Sequence, residues 1–130
     1  MWNSIMSHLK PGQRLLTPGR GIPAIRQKPF FVVAVAPTYI GIEIGDSRTF
    51  NRLPKEMFDA IDRLFRDNPL GYLRVAAEHA NVPTEKSVDE IARSAVHFNR
   101  AIGNYVAAIL EEAGCVRYVM KGNRKCVERP

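Results

Sequence analysis

The chain has 130 residues, with 19 Lys and Arg against 13 Asp and Glu, a formal charge of +6, 45% hydrophobic residues and two cysteines. This size and apolar fraction permit a real core, which excludes a wholly disordered tail, a collagen-like fibre and a large multidomain enzyme. Two cysteines outside any CxxC spacing exclude a disulfide framework and a four-ligand zinc site, and the longest apolar run, residues 30–36, is too short to span a bilayer.

From the start of the chain, Trp2, Ile5, Met6 and Leu9 recur at helical spacing, which predicts a short amphipathic helix stopped by Pro11-Gly12. The same stretch lacks a basic start followed by an apolar run, so no signal peptide is expected and the expected compartment is cytoplasmic. Apolar runs at 14–17, 30–36, 39–44 and 48–53 are separated by turn formers and read as strands. Ile40, Ile42 and Ile44 alternate with Gly41 and Glu43, placing one apolar face inward. The economical assembly is an antiparallel β-meander or an SH3-like, partly open barrel.

After Pro54, suited to a first helical position, the apolar period changes to that of a helix, with Phe58, Ile61, Leu64 and Phe65 on one face until Asn68-Pro69. Asn68 can cap a second helix over 69–80, with Tyr72, Leu73, Ala76, Ala77 and Ala80 as its apolar side. Ser87-Val88-Asp89-Glu90 is a capping box that starts a third helix at Val88, running to about His97. Asn99 can cap a fourth, lined by Ile102, Val106, Ile109 and Leu110 and ended by Gly114. The last residues read as a hairpin turning at Gly122-Asn123, with facing residues summing to 245, so that Arg117 faces Glu128 and Val119 faces Cys126. Cys115 then stands opposite Pro130, and no Cys115–Cys126 bridge is expected. The fold class is therefore α+β, organised as a helix and β-unit over 1–54, a connecting helix over 55–68 and a helical unit with a hairpin over 69–130.

The triplet Glu90-Ile91-Ala92, the run Leu110-Glu111-Glu112-Ala113-Gly114-Cys115-Val116 about twenty residues on, and the basic hairpin after it resemble the winged helix-turn-helix superfamily over about residues 69–130. The resemblance implies a double-stranded DNA partner. It makes helix 100–113 the reading element, with Asn99, Arg100 and Asn104 as candidates for base edges, and residues 116–129 the wing. The sequence departs from the family in the turn Val96-His97-Phe98-Asn99, which lacks the usual small residue, and in a reading helix whose only cation is Arg100. Capping alone also explains Asn99, and an exposed first turn explains Arg100. Homodimerisation is common in the family.

Charge placement points the same way. Residues 1–42 carry Lys10, Arg14, Arg20, Arg26 and Lys28 and no acid, residues 43–98 are net acidic, and 99–130 are net basic. On the hairpin, Arg117, Lys121, Asn123, Arg124 and Lys125 suit phosphate oxygens, as does Arg20 on its Pro-Gly-Arg-Gly loop. Solubility alone is the plainer account of such charges.

No enzyme is expected, and no cofactor or small-molecule ligand is evident. Asp59 and Asp62 are interleaved with Arg63 and Arg66, as on a salt-bridged exposed face. His8, His79 and His97 are scattered, and neither a phosphate loop nor a nucleophile elbow occurs. Two functions follow: a DNA-binding regulator docking by helix 100–113 and the wing, or a protein-interaction module on a winged-helix scaffold without a DNA role.

Overall fold

The computed structural model describes residues 1–19, 21–22, 25–68, 70–75, 87–96, 102–122 and 124–130. The chain opens with α1 (Trp2–His8), whose Ile5 is fully buried and whose Trp2 ring packs 5.6 Å from that of Phe58. After Pro11-Gly12 the chain forms β1 (Arg14–Leu16), β2 (Pro29–Ala36), β3 (Tyr39–Ile44) and β4 (Thr49–Pro54). They make one antiparallel sheet in the order β1-β2-β3-β4. It is an open meander. The closure needed for a barrel is not made, because β1 and β4 stay at opposite edges. Leu15, Phe30 and Ile44 align across the strands, as do Val32 and Ile42, and the period of two turns this row to the core.

Helix α2 (Lys55–Asp67) begins at the residue expected, with Pro54 extended at its N-cap rather than in the first helical position, and buries Met57, Phe58, Ile61 and Phe65. Two of its four acids are paired along the exposed side, Asp59 with Lys55 at 2.9 Å and Asp62 with Arg66 at 3.2 Å.

The expected helix over 69–80 is not formed where the chain is described: Tyr72–Arg74 is a strand, β5. Asn68 closes a turn instead of capping a helix, its Oδ1 accepting the Leu70 amide and its Nδ2 donating to the Tyr72 carbonyl. The backbone groups of Tyr72, Leu73 and Arg74 pair with Glu128, Val127 and Cys126, a partner more than fifty residues away that local periodicity cannot reveal. Ala76, Ala77 and Ala80 lie outside the described residues.

Helix α3 (Val88–Val96) starts as expected, with the Ser87 hydroxyl accepting the Glu90 amide at 3.1 Å. Helix α4 spans Gly103–Glu112, shorter than the expected 100–113. Its first amides are satisfied from α3: Asp89 Oδ1 accepts the N–H groups of Ile102 (2.7 Å) and Gly103 (2.9 Å). Gly103 is a requirement of space, since a Cβ there would lie 2.6 Å from the Val75 carbonyl oxygen and 2.8 Å from Asp89 Cβ. At the other end Gly114 has φ +73°, and the Cys115 and Gly114 amides return to the carbonyls of Leu110 and Glu111.

The hairpin β6 (Arg117–Lys121) and β7 (Arg124–Glu128) has the expected register, with Arg117 opposite Glu128 and Lys121 opposite Arg124. Gly122 takes φ +64° at the turn. Strand β5 adds to its far side, giving a second sheet in the order β5-β7-β6. Cys115 is a half-buried free thiol, and Cys126 is fully buried on β7. Buried residues from the first sheet, such as Phe30 and Ile40, belong to the same apolar cluster as Leu73, Val106 and Val127 from the second sheet and α4.

Candidate nucleic-acid interface

The pleat of β7 divides the basic hairpin. Lys125 shares the face of the buried Val127, while Arg124 shares the opposite face with Cys126 and Glu128, and Arg117 and Lys121 stand across from that face on β6. Glu128 draws the outer cations together, lying 2.7 Å from Arg117 and 3.5 Å from Lys121. The Arg117 hydrogen bond, with the Lys121 charge, holds the Glu128 carboxyl below its usual range. Lys121 also sits 4.7 Å above the Tyr72 ring, and Arg129 is turned back to donate to the Phe65 carbonyl at the end of α2.

On the inner side, Lys125 meets the first half of the chain. It lines a cavity of about 300 Å³ together with Thr17, Arg26, Lys28, Asn104 and Tyr105. Arg26, Lys28 and Tyr105 also line a neighbouring cavity of about 510 Å³, where Phe31, Asp46 and Arg48 join them. The two cavities form a groove along the seam between the start of β2, the first turn of α4 and β7. Thr17 fixes the base of the loop from β1 to β2: its hydroxyl accepts the Lys28 amide at 2.7 Å, its own amide donates to the Lys28 carbonyl, and its carbonyl accepts from the Gln27 side chain. Arg26 and Lys28 are thereby carried on an anchored strand end. Tyr105 is held by edge-to-face packing on Phe30, with ring centroids 5.2 Å apart. Burial raises its pKa, so its hydroxyl stays protonated.

The helix expected to read bases offers little surface. Residues 106–110 are all buried, leaving Asn104 exposed at the start of α4 and Glu111 and Glu112 at its end. Glu111 accepts the Tyr118 amide and Glu112 accepts from Gln13, so both acids serve as local ties. Asn104 and Lys125 are the two expected site residues that the groove brings together. Arg117, Lys121 and Arg124 lie on the other face of the hairpin, and Arg20, Asn99, Arg100 and Asn123 fall outside the described residues. Arg26, Lys28, Arg48 and Tyr105 were not expected at a site. The acid-free start of the chain was the available signal for the first two, but their facing Lys125 depends on long-range packing.

No protein-family model, curated protein or solved structure matches the chain. The chemistry of the groove stands on its own. Among the described residues, four cations (Arg26, Lys28, Arg48 and Lys125), an amide and a phenol line it beside one acid, Asp46. Guanidinium and ammonium groups with neutral donors between them are the set that grips phosphodiester oxygens. Among the described residues no three His, Cys, Asp or Glu side chains cluster as a metal site, and no helix is long and apolar enough to cross a membrane.

Proposed function

We propose that the protein binds nucleic acid, gripping the phosphate backbone of double-stranded DNA in the groove formed by Arg26, Lys28, Asn104 and Lys125. The observation that carries this reading is the convergence of cations from both ends of the chain, far apart in sequence, on one seam. The order of α3 with its Glu90-Ile91-Ala92 triplet, then α4, then a basic hairpin supports the winged helix-turn-helix resemblance. Because α4 is enclosed, contact is by its N-terminal end and by the groove, and most of the affinity is electrostatic. Three cations on phosphate give a slope near 0.9 per contact, so raising salt from about 50 to about 200 mM weakens binding about 40-fold. Fluorescence anisotropy of a labelled duplex at the two salt concentrations tests this, and absence of binding at the lower one removes the reading.

The enclosure of α4 also favours a second reading, a protein-interaction module without a DNA role. Charge reversal at Arg26 and Lys125 separates the two, since in the first case it abolishes duplex binding at low salt, whereas in the second the unaltered protein already fails to bind the duplex.

A further inference from the structure

We infer that the outer face of the β1-β2-β3-β4 sheet is a stacking platform for unpaired bases of single-stranded nucleic acid, an inference that rests on the nucleic-acid reading of the adjoining groove. The strand register places Arg14, Phe31, Glu43 and Phe50 in one row across the four strands, on the face opposite the buried Phe30 and Ile42. Phe50 is 53% exposed. Its ring lies on bare backbone, because a Cβ at Gly41 would come within 2.8 Å of it. Any side chain at position 41 would lift the ring, so glycine gives it a flat seat. Phe31 carries the Arg48 guanidinium 4.0 Å above its centroid, and Tyr39 carries that of Arg52 at 4.7 Å. Glu43 is already engaged by Arg48 at 2.8 Å.

Rings interleaved with guanidinium groups on an open sheet match the chemistry of a nucleotide strand, in which π-faces alternate with negative charge. A duplex already stacks its base faces internally and has none to offer. Phe31 and Phe50 stand two strands apart, about 10 Å, a spacing suited to splayed bases. A second copy of this chain is disfavoured as the occupant, since a two-fold contact would gather two sets of Arg14, Arg48 and Arg52 in one interface, opposed on this face by Glu43, which Arg48 already engages. Phe31 and Arg48 also line the larger cavity with Arg26 and Lys28, so a backbone held in the groove delivers its bases first to the Arg48 guanidinium stacked on Phe31, itself a plane on which a base can stack.

The test is anisotropy with labelled oligo-dT and oligo-rU of about 15 nucleotides and with a duplex of the same length. Phe50→Ala weakens binding of the single strand about tenfold or more and changes duplex binding by less than about twofold, while Phe50→Tyr retains single-strand affinity. Phe50 is exposed, so its truncation leaves the fold intact, as an unchanged melting curve verifies. Phe50-dependent binding of either oligomer supports the inference, and the tighter one identifies DNA or RNA as the source. Duplex binding without single-strand binding, or single-strand binding indifferent to Phe50→Ala, overturns it while leaving the groove reading in place. A dimer that dissociates on Phe50→Ala also overturns it. Failure of every probe to bind at low salt removes the groove reading itself.

Discussion

The Asp89 carboxylate accepts two amides at the start of α4 and lies 2.9 Å from Arg93 Nε, on a residue only 7% exposed. Removing it strands the two buried amides of Ile102 and Gly103, which is costly because water does not replace the lost acceptor, and it also unpairs Arg93, whose side chain is 39% exposed. Asp89→Ala is therefore expected to destabilise the protein by about 3 kcal/mol in urea denaturation, far more than loss of an exposed pair such as Lys55–Asp59. Gly103→Ala is a sharper test of the same junction. Alanine is the better helix former by about 1 kcal/mol, yet its methyl would press on the Val75 carbonyl oxygen. A net loss of about 2 kcal/mol is expected, and a gain in stability would show that the junction relaxes easily. The capping box before α3 was readable because Ser87 and Glu90 are neighbours. The cap of α4 was not, since its acceptor sits thirteen residues upstream on another helix.

At the scale of elements, the hairpin divides its charges between its two faces, Lys125 on one and Arg117, Lys121, Arg124 and Glu128 on the other. Lys125→Glu is expected to weaken duplex binding more than Arg124→Glu, because only Lys125 faces the groove; equal effects in a titration would refute the division. The outer face has its own signature. The Glu128 carboxyl titrates below its unfolded value, so its contribution to stability is present above the unfolded pKa and is lost as pH falls through the folded one. Glu128→Gln should therefore reduce the difference in urea midpoint between neutral pH and pH below the usual carboxylate range. The register of this hairpin was legible because a two-residue turn fixes every pair after it. By contrast, Tyr72 and Leu73 fit a helical pattern as well as a strand pattern, and the edge of β7 decided between them.

For the whole molecule, the apolar cluster runs from Ile5 and Phe30 through Phe58 and Ile61 to Val106 and Val127. Phe58 links its parts, touching Trp2 of α1 while lying fully buried on α2. Phe58→Ala is expected to cost about 3–5 kcal/mol. If the cluster folds as one unit, Trp2 fluorescence and far-ultraviolet circular dichroism give coincident unfolding curves in the wild type and the variant. Separate transitions would instead mark an independent β-unit.

The sequence by itself determined most of the local architecture: the four meander strands, α1 to α3 within a residue or so, the glycine stop of α4 and the pairing of the hairpin. Each of these depends on periodicity, caps and turns within a few residues, where chain geometry leaves little choice. Tertiary structure decided the rest. It set the strand at 72–74, the burial of α4, which face of the hairpin turns inward with Lys125, and the meeting of Arg26 and Lys28 with Asn104. Those depend on which surfaces the core brings together. A side chain's charge is written in the sequence, but the direction it faces is set by elements packed against it from the other end of the chain.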